Sequence, residues 1–161
     1  MLQENSRRNI YLAEDDEDDR ILFLEVFNQF HSEIKVKVSE DGQQLLDQLH
    51  EALRDKPEII FLDINMPLKN GFECLKEIRS SSCFDSVKII MFSTSSSLLH
   101  IELCYKLGAD LYAVKPGAVQ DFEKVIEEMM AIEWTRTVRN RSEFLLSSKR
   151  KECHKDISTV N

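Results

Sequence analysis

The sequence predicts a doubly wound α/β domain of the flavodoxin-like (βα)5 type, a five-stranded parallel sheet in the order 2-1-3-4-5 with helices on both faces. Three observations predict it. Short apolar runs alternate five times with stretches of helical periodicity across residues 8–132. Two of those runs, Ile59-Ile60-Phe61-Leu62 and Val87-Lys88-Ile89-Ile90-Met91-Phe92, have the near-continuous apolar character of strands buried on both faces. The chain is 161 residues long and 42% apolar, which is one domain by ordinary size and enough for a real core.

Ile10-Tyr11-Leu12-Ala13 is the first strand, and it ends in the acidic run Glu14-Asp15-Asp16-Glu17-Asp18-Asp19. Ile21, Leu22, Val26, Phe27 and Phe30 then recur at helical spacing. Ile34-Lys35-Val36-Lys37-Val38 alternates with period two, as a half-exposed edge strand should. After Glu40-Asp41-Gly42, the leucines 45, 46, 49 and 53 mark a second amphipathic helix, closed off by Pro57. The central strand at residues 59–62 ends in Asp63. Asn65-Met66-Pro67-Leu68-Lys69-Asn70-Gly71 reads as a loop, and Phe72, Leu75 and Ile78 open the third helix. The fourth strand is followed by Ser93-Thr94-Ser95-Ser96-Ser97 and a helix carrying Leu98, Ile101 and Leu107, which Gly108 ends at the usual C′ position. Leu111-Tyr112-Ala113-Val114 is the fifth strand, leading into Lys115-Pro116-Gly117, and Phe122, Val125, Ile126 and Met129 mark the last helix.

Composition excludes several classes. No apolar run approaches 18 residues and the first residues lack a signal-like stretch, so a soluble, cytoplasmic protein without membrane contact is expected. Cys74, Cys83, Cys104 and Cys153 are far apart, with no CxxC pair and no zinc-like spacing, which points to reduced and mostly buried thiols. The net charge of −8 argues against nucleic acid as a partner. Residues 135–161 hold seven Lys/Arg against three Asp/Glu, a net of +4, so residues 1–134 carry −12. Residues 133–161 read as a C-terminal helical extension and polar basic tail with no output domain. Trp134, Val138, Phe144, Leu145 and Leu146 either extend helix 5 into a dimer contact or pack the chain end on its own domain.

The strand order makes the ends of strands 1 and 3 meet at the topological switch point, where ligands collect in such folds. Glu14, Asp15 and Asp63 then converge, with Ser93 and Lys115 on the neighbouring loops. Carboxylates forced together there raise one another's pKa unless a cation neutralises them, and Mg2+ suits hard oxygen ligands. Asp16 to Asp19 read instead as a solvated acidic helix start. Carboxylates for a cation, a hydroxyl, an ammonium and a central aspartate suit transfer of a phosphoryl group onto a carboxylate oxygen. A nucleotide cradle does not fit, because the first βα turn is acidic and lacks glycines.

Residues 8–132 resemble a response-regulator receiver domain of two-component signalling, similar to the single-domain chemotaxis type. The resemblance rests on Glu14-Asp15, on Asp63-Ile64-Asn65-Met66-Pro67 with Gly71, on Ser93, and on Lys115-Pro116, with 30 residues from Asp63 to Ser93 and 22 more to Lys115. It implies that Asp63 is the phosphoacceptor, taking the phosphoryl group from a histidine kinase or histidine phosphotransfer protein. Asp15, Asp63 and the backbone carbonyl of Asn65 would bind Mg2+ directly, and Glu14 through water. Lys115 would neutralise phosphoryl oxygens, Ser93 would hydrogen-bond one, and Tyr112 would change exposure as Ser93 moves. A cis peptide bond is expected before Pro116. Ser95 lies where the family tunes loss of the phosphoryl group. The implied protein is not a turnover enzyme: it catalyses its own phosphorylation and slow self-dephosphorylation, then signals by protein contacts. A homodimer through the face of helix 4, strand 5 and helix 5, or through the C-terminal extension, is a further expectation. A degenerate receiver that binds partners without phosphorylation is the alternative. An aspartate-nucleophile phosphohydrolase fits poorly, because Asn65 cannot supply a general acid.

Overall fold

The computed structural model describes residues 8–135 and 139–146. Among them the chain runs β1 (Asn9–Ala13), α1 (Glu17–Phe30), β2 (Lys35–Ser39), α2 (Gly42–Glu51), β3 (Ile59–Leu62), α3 (Gly71–Arg79), β4 (Lys88–Ser93), α4 (Leu98–Leu107), β5 (Leu111–Val114), α5 (Val119–Met130) and β6 (Leu145–Leu146). All strands are parallel, in the order β2-β1-β3-β4-β5-β6. The predicted 2-1-3-4-5 sheet is present, with a sixth strand added beside β5.

Alternation along each strand divides the core. Ile89 and Met91 face α2, α3 and α4 together with Leu62, Leu75 and Ile78. Ile90 and Phe92 face α1 and α5 with Phe23, Phe27, Phe61 and Phe122. The central strands β3 and β4 are buried on both sides, which is why they read as unbroken apolar runs. Helices α1 to α4 start on side-chain caps: Asp16, Asp41, Asn70 and Ser97 each accept from the N–H three residues on, satisfying a donor that the helix leaves free. Gly108, at φ 105°, closes α4 in the left-handed conformation.

Four expectations are corrected. In α1 the buried positions are Phe23, Val26 and Phe27, whereas Ile21 and Phe30 are exposed. The helix meets the sheet along a narrower stripe than its apolar content suggests. Leu53 is exposed because α2 ends at Glu51. No helical extension is found among the described C-terminal residues: α5 ends at Met130, Trp134 folds back with its indole N–H donating to the Met129 carbonyl, and the chain returns as a 3-10 turn at Arg141–Glu143 and then β6. Apolar Trp134 and Phe144 are buried on the domain itself, while Val138 and the basic tail from residue 147 lie outside the described residues. Finally, no described peptide bond is cis, so the bond before Pro116 is trans; Lys115 enters the site from an extended strand end without it. No described helix is long and apolar enough to cross a membrane. Cys74 and Cys104 are buried, with burial pushing both thiols up to about 12 and away from reactivity, and Cys83 is exposed.

Candidate functional site

The site lies where β1, β3, β4 and β5 end. In register, Ala13 stands opposite Leu62, so the next residues, Glu14 and Asp63, emerge side by side. The Asp63 N–H donates to the Ala13 carbonyl at 3.0 Å, carrying the ladder one step past the strand. Ser93 pairs with Val114, and the Lys115 N–H donates to the Ser93 carbonyl at 2.8 Å. Four strand ends thus hold the four side chains, and backbone pairing rather than loop shape sets their spacing.

Glu14, Asp63, Ser93 and Lys115 are all buried. Ligand oxygens of Glu14, Asp15 and Asp63 lie within 4.8 Å of one another, and Asp15 is the exposed member. The Lys115 ammonium sits among acids: 2.5 Å from Glu14 Oε2, 2.9 Å from Asp19 Oδ2 and 3.6 Å from Asp63 Oδ2. Burial, and next the Asp63 charge, push the Glu14 carboxyl up to about 8 despite Lys115. Burial also raises Asp63, with Lys115 and the Ile64 N–H at 2.8 Å pulling the other way. Burial pulls the Lys115 ammonium down, but Asp63 and Glu14 together outweigh it and leave the group raised. One buried cation therefore offsets two buried carboxylates incompletely, and the remaining negative charge lies beside exposed Asp15.

Around this cluster the backbone is tightly fitted. The Gly71 N–H donates to the Ile64 carbonyl at 2.8 Å, and a Cβ on Gly71 would lie 2.3 Å from the Asp63 carbonyl oxygen. Only glycine lets α3 approach β3 this closely. Arg20 of α1 donates to the carbonyls of Glu14 and Asp15, pinning the first acidic turn. Ser93 Oγ accepts from the Ser95 N–H at 3.2 Å, and the Tyr112 hydroxyl donates to the Ser95 carbonyl at 2.7 Å. The Ser95 hydroxyl is 2.7 Å from His100 Nδ1, whose ring meets Phe72 edge-on. Tyr112 is fully buried, its ring turned inward.

Of the sequence-predicted residues, Glu14, Asp15, Asp63 and Lys115 converge, and Ser93 lies at the adjoining strand end linked to Tyr112 through Ser95. Asn65 is exposed two residues beyond Asp63. Sequence reasoning missed Asp19, which was read as part of a solvated helix start but pairs with Lys115; nothing within the run of acids set it apart. It also missed His100, whose contact depends on loop shape, and it named Phe144 only as a helix-extension or chain-end residue, without its contacts to Tyr105 and Tyr112.

The family model described as "Response regulator receiver domain" matches residues 10–127. The "Probable methanogenesis regulatory protein FilR2" of Methanothrix harundinacea is 26% identical over 80% of this chain and 86% of its own length. "Response regulator Rcp1" of Synechocystis is 26% identical, over 84% of this chain and 95% of its own. The chain spans only about half of some relatives, 48% of "Two-component response regulator ARR6" of Arabidopsis thaliana. Among solved structures, the phosphorylated cyanobacterial phytochrome response regulator RcpA superposes with a TM-score of 0.75 at 26% identity, covering 83% of this chain and 97% of that one. With the family matched across all the strand ends that carry the acidic cluster, the chain belongs to the response regulator receiver domains.

Proposed function

We propose that this chain is a phosphorylation-dependent switch of a two-component system, and that Asp63 accepts the phosphoryl group. The observation that carries the reading is the buried set of Asp63, Glu14 and Lys115 at the sheet's carboxyl edge, with Asp15 at its mouth. The donor is a phosphohistidine of a histidine kinase or phosphotransfer protein in the cytoplasm. An Asp63 carboxylate oxygen forms the new O–P bond as the N–P bond to the donor imidazole breaks, and the electron pair leaves on that nitrogen. No general base is required, because the carboxylate attacks already ionised.

Each side chain has a task in that step. Lys115, 3.6 Å from Asp63, offsets charge on the incoming phosphoryl oxygens. Ser93 hydrogen-bonds one of those oxygens once it arrives, exchanging its contact with the Ser95 N–H for the new one. The carboxylate oxygens of Glu14, Asp15 and Asp63, which lie within 4.8 Å of one another, fit a divalent cation such as Mg2+. Asp15, Asp63 and the Asn65 backbone carbonyl would hold it directly, and Glu14 through water. Bound there, Mg2+ would supply charge neutralisation of the phosphoryl oxygens. Slow hydrolysis of the acyl phosphate resets the switch, and the state is read out by protein contacts.

Incubation with fresh acetyl phosphate and Mg2+, followed by intact mass, tests the reading. One phosphoryl group per chain is expected for the wild type and none for Asp63→Asn. Absence of any gain in the wild type would favour a binding module that works without phosphorylation.

A further inference from the structure

In a sheet of order 2-1-3-4-5, β5 is an edge strand. Here β6 covers that edge, pairing Leu145 with Tyr112 and Leu146 with Ala113. The Tyr112 N–H donates to the Phe144 carbonyl at 2.9 Å. The Phe144 ring, 3% exposed, packs edge-on against Tyr105 of α4 with centroids 5.1 Å apart, and lies 6.5 Å from the Tyr112 ring. The segment is fastened to the outer side of α4 as well. Arg139 stacks its guanidinium 4.2 Å over the Tyr105 ring and donates to the Tyr105 carbonyl, and Arg141 pairs with Glu102.

Tyr112 is held at both ends. Its hydroxyl is bound to the Ser95 carbonyl, and the Ser95 N–H is bound to Ser93 Oγ. A continuous series of contacts therefore runs from Ser93 through Ser95 and Tyr112 to Phe144. On the reading of Asp63 as phosphoacceptor, we propose that Phe144 is a positioning residue of the switch: packed on Tyr112, it holds that ring inward and so ties the attachment of residues 139–146 to the phosphorylation of Asp63.

The direction follows from reciprocity. Whatever favours the inward Tyr112 favours the attached segment, and the attached segment favours the inward ring by the same free energy. Phosphorylation, by drawing Ser93 into the site, selects the inward ring and tightens the segment on β5. Loss of the phosphoryl group loosens it. The edge of β5 and the outer side of α4 are then covered in one state and available for a partner's contact in the other.

Hydrogen exchange read by mass spectrometry on the full chain, with and without acetyl phosphate and Mg2+ and with intact mass followed in parallel, tests this. In the wild type the Tyr112 amide and residues 139–146 are expected to exchange about threefold more slowly when phosphorylated. Phe144→Ala is expected to exchange about tenfold faster at Tyr112 and to lose the dependence on phosphorylation, with β1 and α2 unchanged and Phe144→Leu restoring most of the effect. A purely structural role would speed exchange in both states and keep their ratio, and that result would overturn the proposal. So would phosphoryl uptake with no change at Tyr112 in the wild type. No phosphoryl uptake at all would overturn the assignment of Asp63 together with this inference. If Phe144→Ala raises exchange throughout the sheet, Arg141→Ala, which removes the Glu102 pair and leaves the core intact, gives the same readout, and a retained phosphorylation dependence of its wild-type size would overturn the proposal.

Discussion

A carboxylic acid buried beside another carboxylic acid titrates late, and Glu14 is the case here. Its folded-state pKa is raised to about 8 from an ordinary 4.5, by burial first and Asp63 second, and Asp63 is shifted the same way. Between those two pH values the unfolded chain releases a proton that the folded chain still holds, so stability falls as pH rises through the window. The metal-free protein is therefore expected to be more stable at pH 5 than at pH 8. Glu14→Gln should flatten that slope and be more stable than the wild type at pH 8 by on the order of 2–4 kcal/mol in urea unfolding. Lys115→Ala acts in the opposite sense. It leaves Glu14 and Asp63 buried without their cation and is expected to cost about 3–5 kcal/mol at neutral pH without metal, as well as abolishing most phosphoryl uptake in the intact-mass assay. The convergence of these residues was legible because each follows an apolar run, and parallel pairing brings strand ends together. Asp19 was not, since one more acid in an acidic helix start carries no mark of the lysine that reaches it from β5.

At the scale of elements, the contact between α3 and β3 depends on a missing side chain. The Cβ of Gly71→Ala would meet the Asp63 carbonyl oxygen at 2.3 Å and the Ile64 Cα at 2.8 Å, both backbone atoms that cannot swing aside. Relief requires α3 to move away or the loop after β3 to shift, and either displaces Asp63. Gly71→Ala is expected to cost about 2–3 kcal/mol and to slow phosphorylation by acetyl phosphate about tenfold or more, measured as the rate of mass gain. The five strands and five helices were legible from periodicity because burial on two faces, on one stripe or at an edge leaves distinct patterns. The C-terminal segment was not. A two-residue strand has no period, and the apolar Trp134 and Phe144 suited a helix face or a dimer contact as well as their actual places on the domain. Phe23 was overlooked in α1 for a related reason: with Ile21, Leu22 and Phe23 consecutive, only the helix's seating on the sheet decides which one points inward.

For the whole molecule, charge is distributed against the fold's own interest. Residues 1–134 carry a net −12, and part of that charge is gathered where four strands end, in a cluster that Lys115 neutralises incompletely. Such an arrangement spends stability that a bound divalent cation returns, because a ligand that binds only the folded state stabilises it by RT ln(1 + [L]/Kd), about 2.7 kcal/mol at a hundredfold excess over Kd. Mg2+ is expected to raise the thermal midpoint by roughly 5–10 °C at saturation for a chain of this size, with no comparable effect from NaCl at equal ionic strength. The gain should be larger at pH 8 than at pH 5, since protons on Glu14 and Asp63 compete with the cation at the lower pH. Asp15→Asn separates ligand from fold: Asp15 is the exposed member of the cluster, so its loss should leave the metal-free stability within about 1 kcal/mol of the wild type while removing most of the Mg2+ shift. An unchanged Mg2+ shift in Asp15→Asn would place the cation elsewhere on the acidic surface, and the Asp63 pocket would then have to accept a phosphoryl group with Lys115 as its chief counter-charge.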